Sequence, residues 1–164
     1  MANSLLAVAL FVATALCFTV APTAAHDKMF VEGYVYCDPC RVAFQTPLSK
    51  PIVGNKVNLK CTSRLNGTVT LSLNAVTDKK GMYCIPVTGD HEDDICEVEL
   101  GKSSAFGCTT PFFRNNARVL LTKNFGAVTP VRSASALGYM SFHSHKKCAK
   151  VLLDMGFLPL PSTL

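Results

Sequence analysis

Eight cysteines, four histidines and a short acidic knot are the residues of this 164-residue chain with the chemistry to exchange disulfides, hold a metal or move protons. Cys17 falls in an apolar N-terminal run, leaving Cys37, Cys40, Cys61, Cys84, Cys96, Cys108 and Cys148. That odd number at that density predicts a disulfide framework with one thiol left over or paired to a second chain. Spacing alone does not choose the pairs, because on the order of a hundred arrangements are open.

Cys37-Asp38-Pro39-Cys40 has the spacing of a redox dithiol, but such a motif needs its first cysteine at a helix N-terminus to depress the thiol pKa. Here Phe30 to Tyr36 and Val42 to Phe44 read as extended. A zinc site would need a second closely spaced Cys or His pair, which the other cysteines do not offer. His143 and His145 lie two apart with no third ligand nearby and read as a polar loop. Asp90-His91-Glu92-Asp93-Asp94 lacks the spaced ligands and distal Glu of an EF-hand and reads as a solvated hairpin turn. No metal site and no cofactor are therefore expected.

Catalysis finds no constellation either. There is no Gly-x-Ser-x-Gly elbow, and none of the four histidines, His26, His91, His143 and His145, sits in an apolar segment that would hold a base rigidly. Glycoside hydrolysis needs two facing carboxylates, which spacing along a β chain neither places nor rules out. Trp is absent, leaving Tyr34, Tyr36, Tyr83 and Tyr139 as stacking platforms for a sugar. The expectation is a protein that is not an enzyme.

The elements that must position these residues are mostly strands. Runs with period-two alternation cover Met29 to Tyr36, Lys56 to Cys61, Thr68 to Thr77, Met82 to Val87 and Ile95 to Leu100, with a more uniformly apolar run at Ala117 to Thr122. In Lys56 to Cys61 the inward face is Val57, Leu59 and Cys61. Gly54-Asn55 and Asp78-Lys79-Lys80-Gly81 supply turns. From His145, the residues Cys148, Val151, Leu152 and Met155 recur at helical spacing, with Gly156 as a stop and Pro159 beyond it. The pattern is all-β, a small antiparallel β-barrel or sandwich of about seven strands with one short C-terminal helix.

Residues 1–25 carry no Asp, Glu, Lys or Arg and read as a signal peptide, with Thr23 and Ala25 placed as a cleavage signature. No other apolar stretch approaches the ~20 residues of a membrane span. The remaining 26–164 suffice for one domain with one core. A secreted protein is the reading, located in the extracellular space or cell wall.

Charge is uneven. His26 to Gly101 carry eight bases against ten acids, whereas Lys102 to Leu153 carry eight bases and no acid. Arg114, Arg118, Lys123, Arg132, Lys146, Lys147 and Lys150 are thus candidates to meet an acidic wall polysaccharide such as pectin, with attraction that salt would screen. No nucleic-acid motif is present. Asn66-Gly67-Thr68 is the one usable glycosylation sequon, in a turn between two strands.

Gly33-Tyr34-Val35-Tyr36-Cys37-Asp38-Pro39-Cys40-Arg41 resembles the signature of the plant Ole e 1-like family of pollen allergen and extensin-like proteins, Gly-x-Val-Tyr-Cys-Asp-x-Cys-Arg. Phe44, Gly54 to Cys61, Gly81-Met82-Tyr83, Asp90-His91-Glu92, Ile95-Cys96-Glu97 and Leu137-Gly138-Tyr139 follow as further landmarks, so the resemblance spans nearly all of residues 30–158. It implies a transthyretin-like β domain stapled by three disulfides, pairing Cys37 with Cys108, Cys40 with Cys148 and Cys61 with Cys96. It also implies a secreted protein without established catalysis, associated with pollen tube growth and tissue development. Some members act as ligands of receptor-like kinases, so a receptor-like kinase ectodomain or an acidic wall polysaccharide is the implied partner. Cys84 departs from the pattern. Alternation turns it away from Tyr83 and Ile85, and the favoured reading is a half-buried inert thiol in a monomer, ahead of an intermolecular bridge or a reactive thiol.

Overall fold

The computed structural model of the protein describes residues 28–124 and 126–157. The leader expected over residues 1–25, the domain start at His26, and Pro159 lie outside the described residues.

Ten strands and one helix follow in order: β1 (Lys28–Asp38), β2 (Lys50–Pro51), β3 (Lys56–Ser63), β4 (Val69–Val76), β5 (Met82–Thr88), β6 (Asp94–Leu100), β7 (Thr110–Pro111), β8 (Asn116–Val119), β9 (Val131–Ser133), β10 (Leu137–Met140) and α1 (Cys148–Asp154). The long strands lie where the alternating runs are. β3 buries Val57, Leu59 and Cys61, and β5 buries Tyr83, Ile85 and Val87 while turning Met82, Cys84 and Pro86 outward. The additional strands β2, β7, β9 and β10 have two to four residues, too few for alternation to register.

β1 is the centre of the first sheet. Along one flank it pairs antiparallel with β5 over Lys28↔Thr88 to Tyr34↔Met82, then with β2 at Tyr36↔Pro51 and Cys37↔Lys50. Along the other it pairs parallel with β9 and then β10, whose far edge carries β7. The sheet is therefore mixed, whereas the second, ordered β4-β3-β6-β8, is antiparallel throughout. Val31, Val35, Ile85 and Leu137 from the first sheet share one core with Leu59, Cys61, Cys96 and Val98 from the second.

Gly33 and Gly81 are among the glycines required by close approach. A Cβ at Gly33 would lie 2.1 Å from Tyr83 Oη, and Tyr83 is 2% exposed. Gly81 takes φ +76° in the β4–β5 turn, and a Cβ there would lie 2.7 Å from the Val35 carbonyl oxygen. Asp78 closes that turn by accepting from the Lys80 and Met82 amides. The helix ends as its sequence indicates. Gly156 takes φ +78°, so its amide reaches Leu153 O and that of Phe157 reaches Leu152 O.

Candidate functional site

The signature residues of β1 build a rigid corner. Asp38 is wholly buried, and its Oδ1 accepts from the Cys40 and Arg41 amides at 2.8 and 2.9 Å. Its Oδ2 accepts from the Val42 and Ala43 amides at 2.7 and 2.8 Å. Four converging N–H groups form an anion-holding nest, and they force Arg41 and Ala43 into positive φ, at 59° and 60°. Non-glycine residues disfavour that region by about 1–2 kcal/mol each, so the carboxylate is what keeps the loop there. Arg41 then reaches across to donate from Nη1 to Ser141 O at 2.5 Å and Phe142 O at 3.1 Å.

Covalent bonds fix the same corner. Cys37 is bonded to Cys108 and Cys40 to Cys148, while Cys61 is bonded to Cys96 across β3 and β6. Buried Asn55 secures the loop leading to Cys108, because its Oδ1 accepts from the Ser104 amide and its Nδ2 donates to Tyr139 Oη. Tyr139 Oη in turn donates to Gly101 O at 2.6 Å. Segments around residues 37–43, 101–108 and 141–148 are thus held as one body.

Between them lies a groove of about 630 Å³ whose floor includes the Cys37–Cys108 bridge. Lys50, His143, His145 and Lys146 line it, and no Asp or Glu does. The Phe106 ring at its rim is fully exposed, and exposed Phe113 and Phe142 stand on the neighbouring loops. Both cysteines are bonded, and Ser141 donates its hydroxyl proton to the His143 carbonyl oxygen at 2.6 Å. Burial pushes the nearby Tyr36 phenol up to about 12, with Asp38 and Tyr34 adding to the effect.

The seven basic candidates do not form one patch. Arg114 and Arg118 lie before and on β8, Lys123 after it, Arg132 on β9, and Lys146, Lys147 and Lys150 at the start of α1. Arg132 corrects the expectation of a surface cation. It is 5% exposed and donates to the carbonyl oxygens of Thr129, Val131 and Thr122, so it braces its own loop. Arg118 faces Glu97 at 3.6 Å, a neutralising neighbour. The three lysines before and on α1 are exposed. The tyrosines are corrected too: Tyr36, Tyr83 and Tyr139 are buried, so they are packing residues and not stacking platforms.

Cys84 is exposed, not half-buried. Local desolvation, then the charge and hydrogen bond of its cross-strand partner Glu32, raise its thiol pKa, which disfavours the nucleophilic thiolate. Asn66 is exposed in the β3–β4 turn, where its Oδ1 accepts from the Thr68 amide and hydroxyl.

The acidic turn differs most from its sequence reading. His91 is part-buried and hydrogen-bonded to Asp94, so one histidine is rigidly held after all. The Asp94 carboxyl sits below its ordinary value because Thr70 and then His91 hydrogen-bond to it. The i,i+3 spacing of His91 and Asp94 was the available signal. What it lacked was Thr70, brought in from β4.

Residues 27–156 match the family described as pollen protein Ole e 1 like. The Olee1-like protein of Betula pendula is 47% identical over 153 residues, covering 90% of this chain and 92% of its own. The pollen allergen Che a 1 of Chenopodium album is 44% identical, covering 80% and 81% respectively. The anther-specific protein LAT52 of Solanum lycopersicum is 38% identical over 94% of this chain and 99% of its own. Among solved structures, that of the major plantain pollen allergen Pla l 1 superposes with a TM-score of 0.66 at 31% identity, over 74% of this chain and 99% of that one.

Proposed function

Because the chain belongs to the pollen Ole e 1-like family, we propose that it is a secreted, non-enzymatic protein of the extracellular space or cell wall that acts as a ligand for a receptor-like kinase ectodomain in pollen tube or tissue growth. The observation that carries this reading is the corner stapled by Cys37–Cys108 and Cys40–Cys148, which presents exposed Phe106 and Phe142 on immobilised loops. Aromatic anchors on rigid supports are what protein interfaces concentrate their binding energy in. The protein works as a monomer, glycosylated at Asn66 on the side of the molecule that carries the β3–β4 turn.

The test is binding of the purified protein to a panel of such ectodomains by biolayer interferometry. Phe106→Ala and Phe142→Ala together should weaken binding by roughly thirtyfold, the loss expected of hot-spot residues. Far-ultraviolet circular dichroism should be unchanged. Binding indifferent to both substitutions would refute the assignment of this corner.

A second reading, an acidic-pectin-binding wall module, is favoured by Lys146, Lys147 and Lys150, exposed together at the start of α1 beside a groove without acids. Binding to polygalacturonate should fade between ~0.05 and ~0.5 M salt as screening shortens. It should disappear when the three lysines are replaced by Ala. Salt-insensitive binding would refute it.

A further inference from the structure

His91 closes the loop between β5 and β6 and folds back against the second sheet, its side chain 13% exposed. The main chain fixes it there, since its amide donates to Leu121 O at 2.8 Å and its carbonyl accepts from the Asp94 amide. Nδ1 lies 2.9 Å from Asp94 Oδ2, which also accepts from Thr70 Oγ1 at 2.6 Å. An ionised carboxylate only accepts, so Nδ1 carries a proton, and in the neutral form of the ring the lone pair is on Nε2. That Nε2 is buried and has no hydrogen-bond partner among the described residues. The ligand atoms of His91, Cys61 and Cys96 all lie within 4.8 Å of one another.

A buried lone pair without a donor calls for an explanation, and the surroundings supply one. Carboxylate to imidazole Nδ1, with Nε2 buried and the ring within 4.8 Å of two sulfurs, is the arrangement that holds a metal-ligating histidine in its tautomer. Cys61 and Cys96 face each other in the β3–β6 ladder, which runs in register from Val57↔Leu100 to Ser63↔Asp94. Backbone hydrogen bonds therefore keep both side chains on one face without the sulfur–sulfur bond. A cavity of about 140 Å³ lined by Arg64, Asp94, Cys96 and Arg118 borders the site.

We propose that reduction of the Cys61–Cys96 bridge opens a site for a borderline-soft divalent cation such as Zn²⁺, with Cys61 Sγ, Cys96 Sγ and His91 Nε2 as ligands and Asp94 holding the imidazole. A dithiol supplies two electrons and two protons, cleaves the bridge to two thiols and is itself oxidised to a disulfide. On binding, the two thiols release two protons to solvent. Two thiolates then neutralise the cation, and water takes the fourth tetrahedral position. This site is independent of the surface reading above and lies on a different sheet from the groove.

The experiment uses the secreted full-length protein carrying Cys84→Ser, which removes the exposed thiol. It is reduced anaerobically with a phosphine, which competes poorly for metal, and titrated with Co²⁺ as a coloured substitute for Zn²⁺. The expected result is one Co²⁺ per chain with thiolate charge-transfer absorption and the d–d bands of tetrahedral coordination, displaced by Zn²⁺. Zn²⁺ should also protect Cys61 and Cys96 from alkylation. Asp94→Asn should weaken the affinity 10- to 100-fold, and His91→Ala at least as much, with the oxidised fold unchanged in both. Equal affinity in His91→Ala, or protection of Cys37, Cys40, Cys108 and Cys148 instead, would overturn the proposal. So would absence of binding, or loss of the native near-ultraviolet circular dichroism in the presence of Zn²⁺, because the site requires the intact β3–β6 ladder.

Discussion

Asp38→Asn is expected to lower the unfolding free energy by about 3–5 kcal/mol, the upper range for a single substitution. The amide has nearly the same shape but only one oxygen, so two of the four main-chain N–H groups now served by the carboxylate would meet an NH₂ group instead. Each orphaned donor costs about 1–3 kcal/mol, most for the buried Cys40 amide and least where Arg41 and Ala43 meet water. With the nest broken, Arg41 and Ala43 have no reason to remain at positive φ, and the Arg41 bonds to Ser141 O and Phe142 O go with them. Urea unfolding with the disulfides intact measures the loss. A second readout is optical: the Tyr36 phenol, pushed up chiefly by burial and next by Asp38, should titrate somewhat lower in the variant. A loss below about 1 kcal/mol would show that the carboxylate does not organise the loop.

Removing the Cys40–Cys148 bridge with the double substitution Cys40→Ser/Cys148→Ser should cost about 2–5 kcal/mol of global stability. The bridge closes a sequence separation of 108 residues, and long closures restrict the unfolded chain most in the chain-entropy account. The local effect is sharper. α1 has seven residues and buries only Cys148, and a helix that short does not persist by itself in water. Its other attachments are the His145 amide on Pro39 O and the Phe44–Phe157 ring contact at 4.6 Å. Hydrogen exchange over residues 147–157 should therefore become unprotected while β3 and β6 keep their protection. A helix that stays protected in the double variant would contradict this account.

The family relationship gives these residues a shared context. The corner built by Cys37-Asp38-Pro39-Cys40-Arg41 is a structural device whose parts are used inward: two sulfurs in bridges, a carboxylate in its own loop and a guanidinium on main-chain carbonyls. What it presents outward is the groove and the phenylalanines that the three pinned segments carry.

The five alternating runs and the helical spacing after His145 determined the long strands, their inward faces and α1, whereas the apolar run Ala117 to Thr122 is strand only within β8, Asn116–Val119. Alternation reports which side of a strand is buried, and it needs several residues to do so. The Asp78 to Gly81 turn and the Gly156 stop were legible because backbone geometry there is a local property of the residue. Pairing direction was not. β9 and β10 add to β1 in parallel over three and four residues, and nothing within so short a segment records which neighbour it meets. The solvent exposure of Cys84, the burial of Arg132 and the seating of His91 against Cys61 and Cys96 were decided the same way. A side chain's charge and size are written in its own position, but its burial, its partners and hence its chemistry are set by residues distant in the chain, which only the packing of the two sheets brings together.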